Sequence, residues 1–259
     1  MVNSSWTKNH IDQLWRAADR SQLVYPPCDT EAFAEFPLEN RQRQLVSVAQ
    51  FRPEKNHQLQ LEALYHYLQR FPDKAANTRL VLVGSSRNQD DERRINQLRA
   101  LAHSLDLDDN VEFAVNATFS QLKDHLACSL IGLHTMHDEH FGIGIIEYMA
   151  AGLIPIAHNS GGPKMDIVHP DHTAVKTATP PGTTSSAHPP NGCLASTKSE
   201  YAECLHYCLD LLSSADQQVM QRRARQSAQT RFSQQQFEQL WLRALDPIMA
   251  QRSQALSQA

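Results

Sequence analysis

Ser129-Leu-Ile-Gly-Leu133, then His134-Thr-Met-His-Asp-Glu-His-Phe-Gly142, then Ile143-Gly-Ile-Ile-Glu-Tyr-Met-Ala-Ala-Gly152, then Leu153-Ile-Pro-Ile-Ala157: this stretch decides the fold. An apolar run, a glycine-containing loop, a segment able to continue as helix and a second apolar run read as strand, loop, helix, strand. Two carboxylates, Glu139 and Glu147, lie inside it with seven residues between them. The loop Phe141-Gly142-Ile143-Gly144 can bring backbone N–H groups and the positive end of a helix up to a phosphate. Acids on either side can then hold hydroxyl-rich groups flanking that phosphate. A sugar nucleotide is such a molecule.

The same alternation extends towards the N-terminus. Residues 45–49 and 80–84 read as buried strands, and residues 111–115 as a third. Asn56 is placed to cap a helix that carries Leu61, Leu64 and Leu68 on one side. A charged helix is expected over 90–105 and another over 120–127. Apolar strands separated by helices imply an α/β fold, a Rossmann-like, doubly wound parallel sheet with helices on both faces. Ligands of such sheets bind beyond the carboxyl ends of the strands. The loops at Arg52, Gly84, Asn116, Glu139 and Gly161 all follow strands and should line one rim.

Outside this core the pattern changes. A short helix is expected over 9–20, and Tyr25-Pro-Pro-Cys-Asp29 is a rigid connector. The segment 180–190 is low in complexity and reads as a flexible surface excursion. From 199 to about 250 the chain reads as helix, with Arg222, Arg223 and Arg225 on a solvated face. The organisation expected is a linker over 1–40, a Rossmann-like domain over 41–198 with a flexible insertion at 178–190, and C-terminal helices over 199–259.

Bulk properties narrow the class. At 259 residues, the formal charge of −4 gives no sign of an overall nucleic-acid binder. The longest weakly polar stretch, 141–157, contains Glu147 and Pro155 and is too interrupted to span a bilayer. No secretory signal is visible, and the chain alone reads as soluble. Five cysteines without a scaffold-like spacing fit reduced thiols. Cys204 and Cys208, four apart, read as small core residues.

Several polar residues stand out. Arg52 and Lys55 lie in a strand-to-helix loop and can form a cationic clamp on a departing diphosphate. Glu147 is expected in the first turn of its helix, where the dipole favours a carboxylate. Glu139 falls outside that helix and has no such structural reason. His134, His137 and His140 sit across a strand end and a loop, which does not support a metal site; His134 can reach a sugar or its phosphates. Gly84 and Gly161-Gly162-Pro163 permit close backbone approach to a ligand.

These residues resemble a known family. Glu139-x7-Glu147, with Phe141-Gly142 inside it and Ala150-Ala-Gly-Leu-Ile-Pro155 after it, looks like the signature of the retaining, two-domain GT-B glycosyltransferases of family four. Tyr25-Pro-Pro-Cys-Asp29, Ser47-Val-Ala-Gln-Phe-Arg-Pro-Glu-Lys-Asn-His57 and Asn159-Ser-Gly-Gly-Pro163 are similar to a branch that uses GDP-mannose. That branch adds α-1,2-linked mannose to a dolichol-pyrophosphate-linked oligosaccharide on the cytosolic face of the endoplasmic reticulum membrane.

The resemblance implies Glu139 near the mannose hydroxyls, Glu147 on the ribose and Lys55 on the pyrophosphate. Many relatives have Gly-Arg where this chain has Ala49-Gln50, so Arg52 is the candidate to replace that arginine. Phe141, Gly142 and Ile143 would offer backbone donors to the phosphates, with Val115 and Asn116 near the guanine and Gly84 and His134 lining the site. The usual Trp-Asn pair is His137-Asp138 here. No metal cofactor is implied; GDP-mannose is the donor substrate.

The resemblance also implies that this chain supplies the donor-binding half. Residues 1–40 would then include the remnant of an acceptor domain, which carries the lipid-linked acceptor and the membrane association. Alternatives are a non-catalytic nucleotide-sugar-binding module working with a partner acceptor half, or an enzyme using a UDP- or ADP-sugar.

Overall fold

The structure is a computed structural model and describes residues 1–16, 20–169 and 190–257, without the side chains of 248 and 250–257. The expected excursion at 180–190 therefore lies outside the described residues, apart from Pro190. Six strands form one parallel sheet: β1 (Gln42–Val48), β2 (Arg79–Gly84), β3 (Val111–Val115), β4 (Ser129–Leu133), β5 (Ile154–His158) and β6 (Cys193–Ala195). Their order is β3-β2-β1-β4-β5-β6. The chain runs outwards from β1 to β3, then returns to β4 beside β1. The strand order reverses at that point, and ligands of doubly wound sheets bind beyond the carboxyl ends of the strands at such a switch point.

Strand alternation divides the core into two layers. On one face Leu45, Leu80, Leu82, Ile131, Leu133 and Ile156 pack with α2 (His57–Arg70), α3 (Gln89–Ser104) and α6 (Lys198–His206). On the other, Val46, Val81, Val83 and Ala157 pack with α5 (Ile143–Ala150) and α7 (Ser214–Phe232), with Leu126 and Leu122 of α4 (Phe119–Cys128). Cys193, Cys204 and Cys208 are buried together as core thiols, the Sγ atoms of Cys193 and Cys208 being 3.6 Å apart. The last helix, α8 (Gln234–Ser257), follows α7 after one residue. Among the described residues no helix is long and apolar enough to cross a membrane.

Several local expectations shift. The first helix, α1, spans Ser5–Trp15 rather than 9–20. Ser4 caps it by accepting the Thr7 N–H at 3.0 Å, and Arg16 ends it in the left-handed region. β6 escaped notice because three residues carry too little period to read. Asn56 precedes α2 but makes no side-chain cap; its own backbone is left-handed, at φ 50°. Glu147 is the fifth residue of α5, in its second turn, so the dipole argument for its position falls away. Arg225 is not on a solvated face. Its Nε donates to Ala150 O at 3.0 Å and its Nη2 to Phe36 O at 2.7 Å, tying α7 to the C-terminal end of α5. Arg222 and Arg223 are exposed as expected.

Candidate active site

Because every strand is parallel, the five loops expected on one rim do share it. Two of them meet at the switch point. The turn after β1 carries Lys55, and the loop after β4 carries Glu139. Lys55 Nζ lies 3.0 Å from Glu139 Oε2, and His134 Nε2 lies 3.4 Å from the same oxygen. The His134 hydrogen bond and the Lys55 ammonium hold the Glu139 carboxyl down at about 2, against the opposing effect of burial. Glu139 is therefore a charged acceptor at neutral pH, hydrogen-bonded by Lys55 with the His134 ring close beside it.

The two loops are stapled at their base. Thr135 Oγ1 lies 2.9 Å from Lys55 O and 3.1 Å from Asn56 O, and it accepts from Gln60 Nε2 at 2.9 Å. A third loop, after β5, supports the first two from behind. Ser160 Oγ accepts the Asp138 N–H at 2.8 Å, and the Gly162 N–H donates to Glu139 O at 2.8 Å. The glycines of that loop permit this contact. At Gly161, with φ +60°, a Cβ would stand 2.3 Å from Glu139 O. Gly84 behaves alike: a Cβ there would stand 2.2 Å from Ala49 O. At both glycines the chain itself approaches this closely.

Gly142, at φ +114°, turns the loop into α5. The N–H groups of Ile143 and Gly144 open the helix and have no carbonyl ahead of them within it. Ile143 is exposed, and nothing lies within 4 Å of where a Gly144 Cβ would sit. This end of α5 therefore faces open space. Its other end is held by Arg225 and by Arg41, whose Nη2 also donates to Ala151 O. Cations at the carboxyl end complement the dipole that points at the loop.

Glu147 sits in a different setting. It is half-buried, beside Cys28 and Asp29 of the connector, and burial with the nearby Asp29 charge raises its pKa. The connector also places Tyr25 over Phe141 at 5.7 Å between ring centroids. Phe141 is buried against Tyr25 and Phe232, so its ring belongs to the core and only its backbone is available to a ligand.

The remaining expected residues scatter along the rim. Asn116, at φ 56°, accepts the Ser86 N–H at 2.9 Å through Oδ1. With Gly84, Gln50 and Leu122 it lines a cleft of about 350 Å³ above β1 to β3; Val115 is partly buried against the layer that contains α2 and α3 and does not line it. Arg52 does not join Lys55. Its Nη1 lies 3.8 Å from Glu54 Oε1, and it lines a different cleft, against α3. The three histidines also separate: His140 stacks on Trp6 at 4.9 Å and His137 meets His158 edge-on at 5.0 Å. Among the described residues no group of three or more His, Cys, Asp or Glu side chains is arranged to hold a metal. Sequence reading missed Thr135, Ser160 and Trp6, whose roles depend on contacts across distant loops.

A doubly wound parallel sheet, with a helix end at its switch point beside an acid–cation pair, defines a Rossmann-like domain of the glycosyltransferase GT-B type. Residues 29–181 match the family Glycosyl transferases group 1, and the chain belongs to it.

Within that family it is 43% identical over 257 residues to the GDP-Man:Man(3)GlcNAc(2)-PP-Dol alpha-1,2-mannosyltransferase of Mus musculus, covering 96% of this chain and 48% of that protein. To the protein of the same name in Dictyostelium discoideum it is 42% identical over 261 residues, covering 97% and 47%. The chain thus spans about half the length of the curated relatives it matches. Among solved structures, a glycosyltransferase from Rickettsia africae superposes with a TM-score of 0.73 at 18% identity, over 95% of this chain and 62% of that one. Anabaena HepE in complex with UDP and glucose gives 0.71 at 18%, over 94% and 61%. These two likenesses bear on the fold alone.

Proposed function

We propose that this chain is the donor-binding half of a GDP-mannose-dependent α-1,2-mannosyltransferase that extends a dolichol-pyrophosphate-linked oligosaccharide at the cytosolic face of the endoplasmic reticulum membrane. The observation that carries this reading is the Lys55–Glu139 pair at the switch point, in a chain 43% identical over 257 residues to a transferase of that name. The acceptor surface and the membrane association are assigned to the remaining length of such a protein.

In the reading we adopt, the diphosphate rests on the opening N–H groups of α5, and the Lys55 ammonium bridges it to Glu139. Glu139, fully ionised, accepts from mannose hydroxyls and fixes the sugar. Glu147 accepts from the ribose, and the base occupies the cleft beside Gly84 and Asn116. Arg52, the second cation of the loop, reaches the diphosphate only by turning away from α3.

The transfer retains configuration. The bond from the anomeric carbon to the phosphate oxygen breaks, and the acceptor oxygen bonds to the same face of that carbon. The acceptor proton passes to the departing phosphate oxygen, whose charge Lys55 and the helix end stabilise. No metal is required in this scheme. Calorimetry with GDP, UDP and ADP tests the donor assignment. GDP should bind and the other two should bind far more weakly. Tight UDP binding without GDP binding would refute the mannosyl reading.

A further inference from the structure

The turn that presents Lys55 has a second face. Pro53–Lys55 forms a single 3-10 turn, and α2 begins immediately after Asn56. Lys55 projects towards Glu139, whereas Arg52, Asn56 and His57 line a separate cleft of about 450 Å³ against α3. Arg94 of α3 lies across it, with Leu98 at its base.

Three features of this cleft are unexplained by folding. His57 is only 2% exposed, yet neither ring nitrogen has a hydrogen-bond partner. A buried polar group left unpaired is costly, so an orphan imidazole at a cleft wall calls for a ligand. The start of α2 also lacks a side-chain cap, which leaves the N–H groups of His57 and Gln58 without intrahelical partners. Finally, the cleft is cationic. Arg94 has no carboxylate partner among the described residues, Arg52 meets Glu54 only at 3.8 Å, and nearby Asp91 is already paired with Arg87 at 3.0 Å. Burial, with Lys55 and Arg94 nearby, pushes His57 down to about 4, so the ring is neutral at pH 7 with one N–H to donate.

We propose that the cleft between the start of α2 and α3 is a second anion site, distinct from the donor crevice, built by Arg94, Arg52, His57 and the α2 N-terminus for a small phosphate-bearing ligand. A tetrahedral phosphate offers acceptors to a helix end, to two guanidinium groups and to an imidazole N–H together. Free phosphate and a phosphomonoester share that chemistry.

The test is titration of the chain with inorganic phosphate and, separately, with glucose 6-phosphate. Binding is followed by calorimetry and by the ¹⁵N resonances of the His57 ring. Saturable binding that shifts the His57 resonances is expected, with affinity about tenfold lower in Arg94→Ala and nearly unchanged in Lys55→Ala or with GDP present. Tighter binding of glucose 6-phosphate would identify a phosphomonoester as the source, and equal binding would identify free phosphate. His57→Gln, checked for folding by its thermal transition, should bind more weakly as well. The proposal is overturned if no saturable binding occurs. It is equally overturned if Lys55→Ala or GDP abolishes binding while Arg94→Ala does not, since the anion would then sit in the donor crevice.

Discussion

Glu139 and Glu147 are eight positions apart on one loop and helix, yet they live under opposite conditions. Glu139 is gripped by Lys55 and His134 and held as a carboxylate down to about pH 2. Glu147 is half-buried against the connector, near buried Cys28 and another acid, Asp29, and its pKa is raised. The difference lies in the neighbouring elements. Glu139 sits where two strand ends open into the crevice and a cationic turn can reach it. Glu147 sits on a helix flank against chain that arrives from residues 25–29. A symmetrical sequence motif thus yields one acid built to stay charged and one that gains from a partner donating to it. In the reading proposed above, that donor is a ribose hydroxyl.

The sharpest way to break this contrast is pH. A carboxyl whose folded pKa lies below its unfolded value stabilises the fold above the unfolded pKa, and the stability is lost as pH falls through the folded pKa. For Glu139 the loss should run from about pH 5 down to about 2 and amount to about 3 kcal/mol in urea unfolding, a loss that Glu139→Gln should not show. Glu147 carries the opposite sign: its raised pKa means stability present at low pH and lost as pH rises. Glu147→Gln should therefore hold or gain stability at pH 7. Equal destabilisation by the two Gln variants at pH 7 would erase the distinction.

Next in size is Lys55→Ala. Among the described residues it leaves Glu139 with the His134 ring as its remaining neighbour and should cost about 2 kcal/mol of stability. Carboxyl NMR should show the Glu139 titration moving upwards. A Glu139 pKa unchanged in this variant would mean that His134 alone holds the acid.

What the chain showed in advance follows from how local each signal is. Strands β1 to β5 announced themselves because each is an apolar run between turn residues, and a parallel arrangement follows from the helices between them. β6, with three residues, has no run to read. The two acids and Lys55 were visible through spacing, and the sheet order brings Lys55 and Glu139 into contact. Thr135 and Ser160 were not visible, because a hydroxyl that staples one loop to another has no sequence pattern of its own. Gly84 and Gly161 show the limit most clearly. Their sequence context signals close approach, but only the fold reveals that Ala49 O and Glu139 O are what approaches.

The acids should also divide in ligand binding. On the proposed function, Glu147→Ala loses a ribose contact and weakens GDP by about tenfold, about 1.4 kcal/mol. Glu139→Ala should leave GDP nearly unaffected and weaken GDP-mannose by a similar factor, because its partner is the sugar. Calorimetry with both ligands on both variants reads the division directly. Equal loss of GDP affinity in the two would show that the acids do not serve separate sugars.

The smallest effect probes why Glu139 can be held so firmly. Its loop is braced by Ser160, whose Oγ accepts the Asp138 N–H at 2.8 Å and lies 2.8 Å from His158 Nδ1. Ser160→Ala removes both contacts and leaves the Asp138 N–H without that acceptor, at a cost of about 1 kcal/mol. The Gly162 N–H bond to Glu139 O survives, so the fold should stand while the loop loosens. If bracing fixes the acid against its donors, amide hydrogen exchange should quicken over 137–140 and the Glu139 titration should move upwards towards that of an ordinary carboxyl. No such changes are expected around Glu147, which α5 carries independently of this loop. Faster exchange with an unmoved Glu139 titration would show that Lys55 and His134 hold the acid without help from the loop behind it.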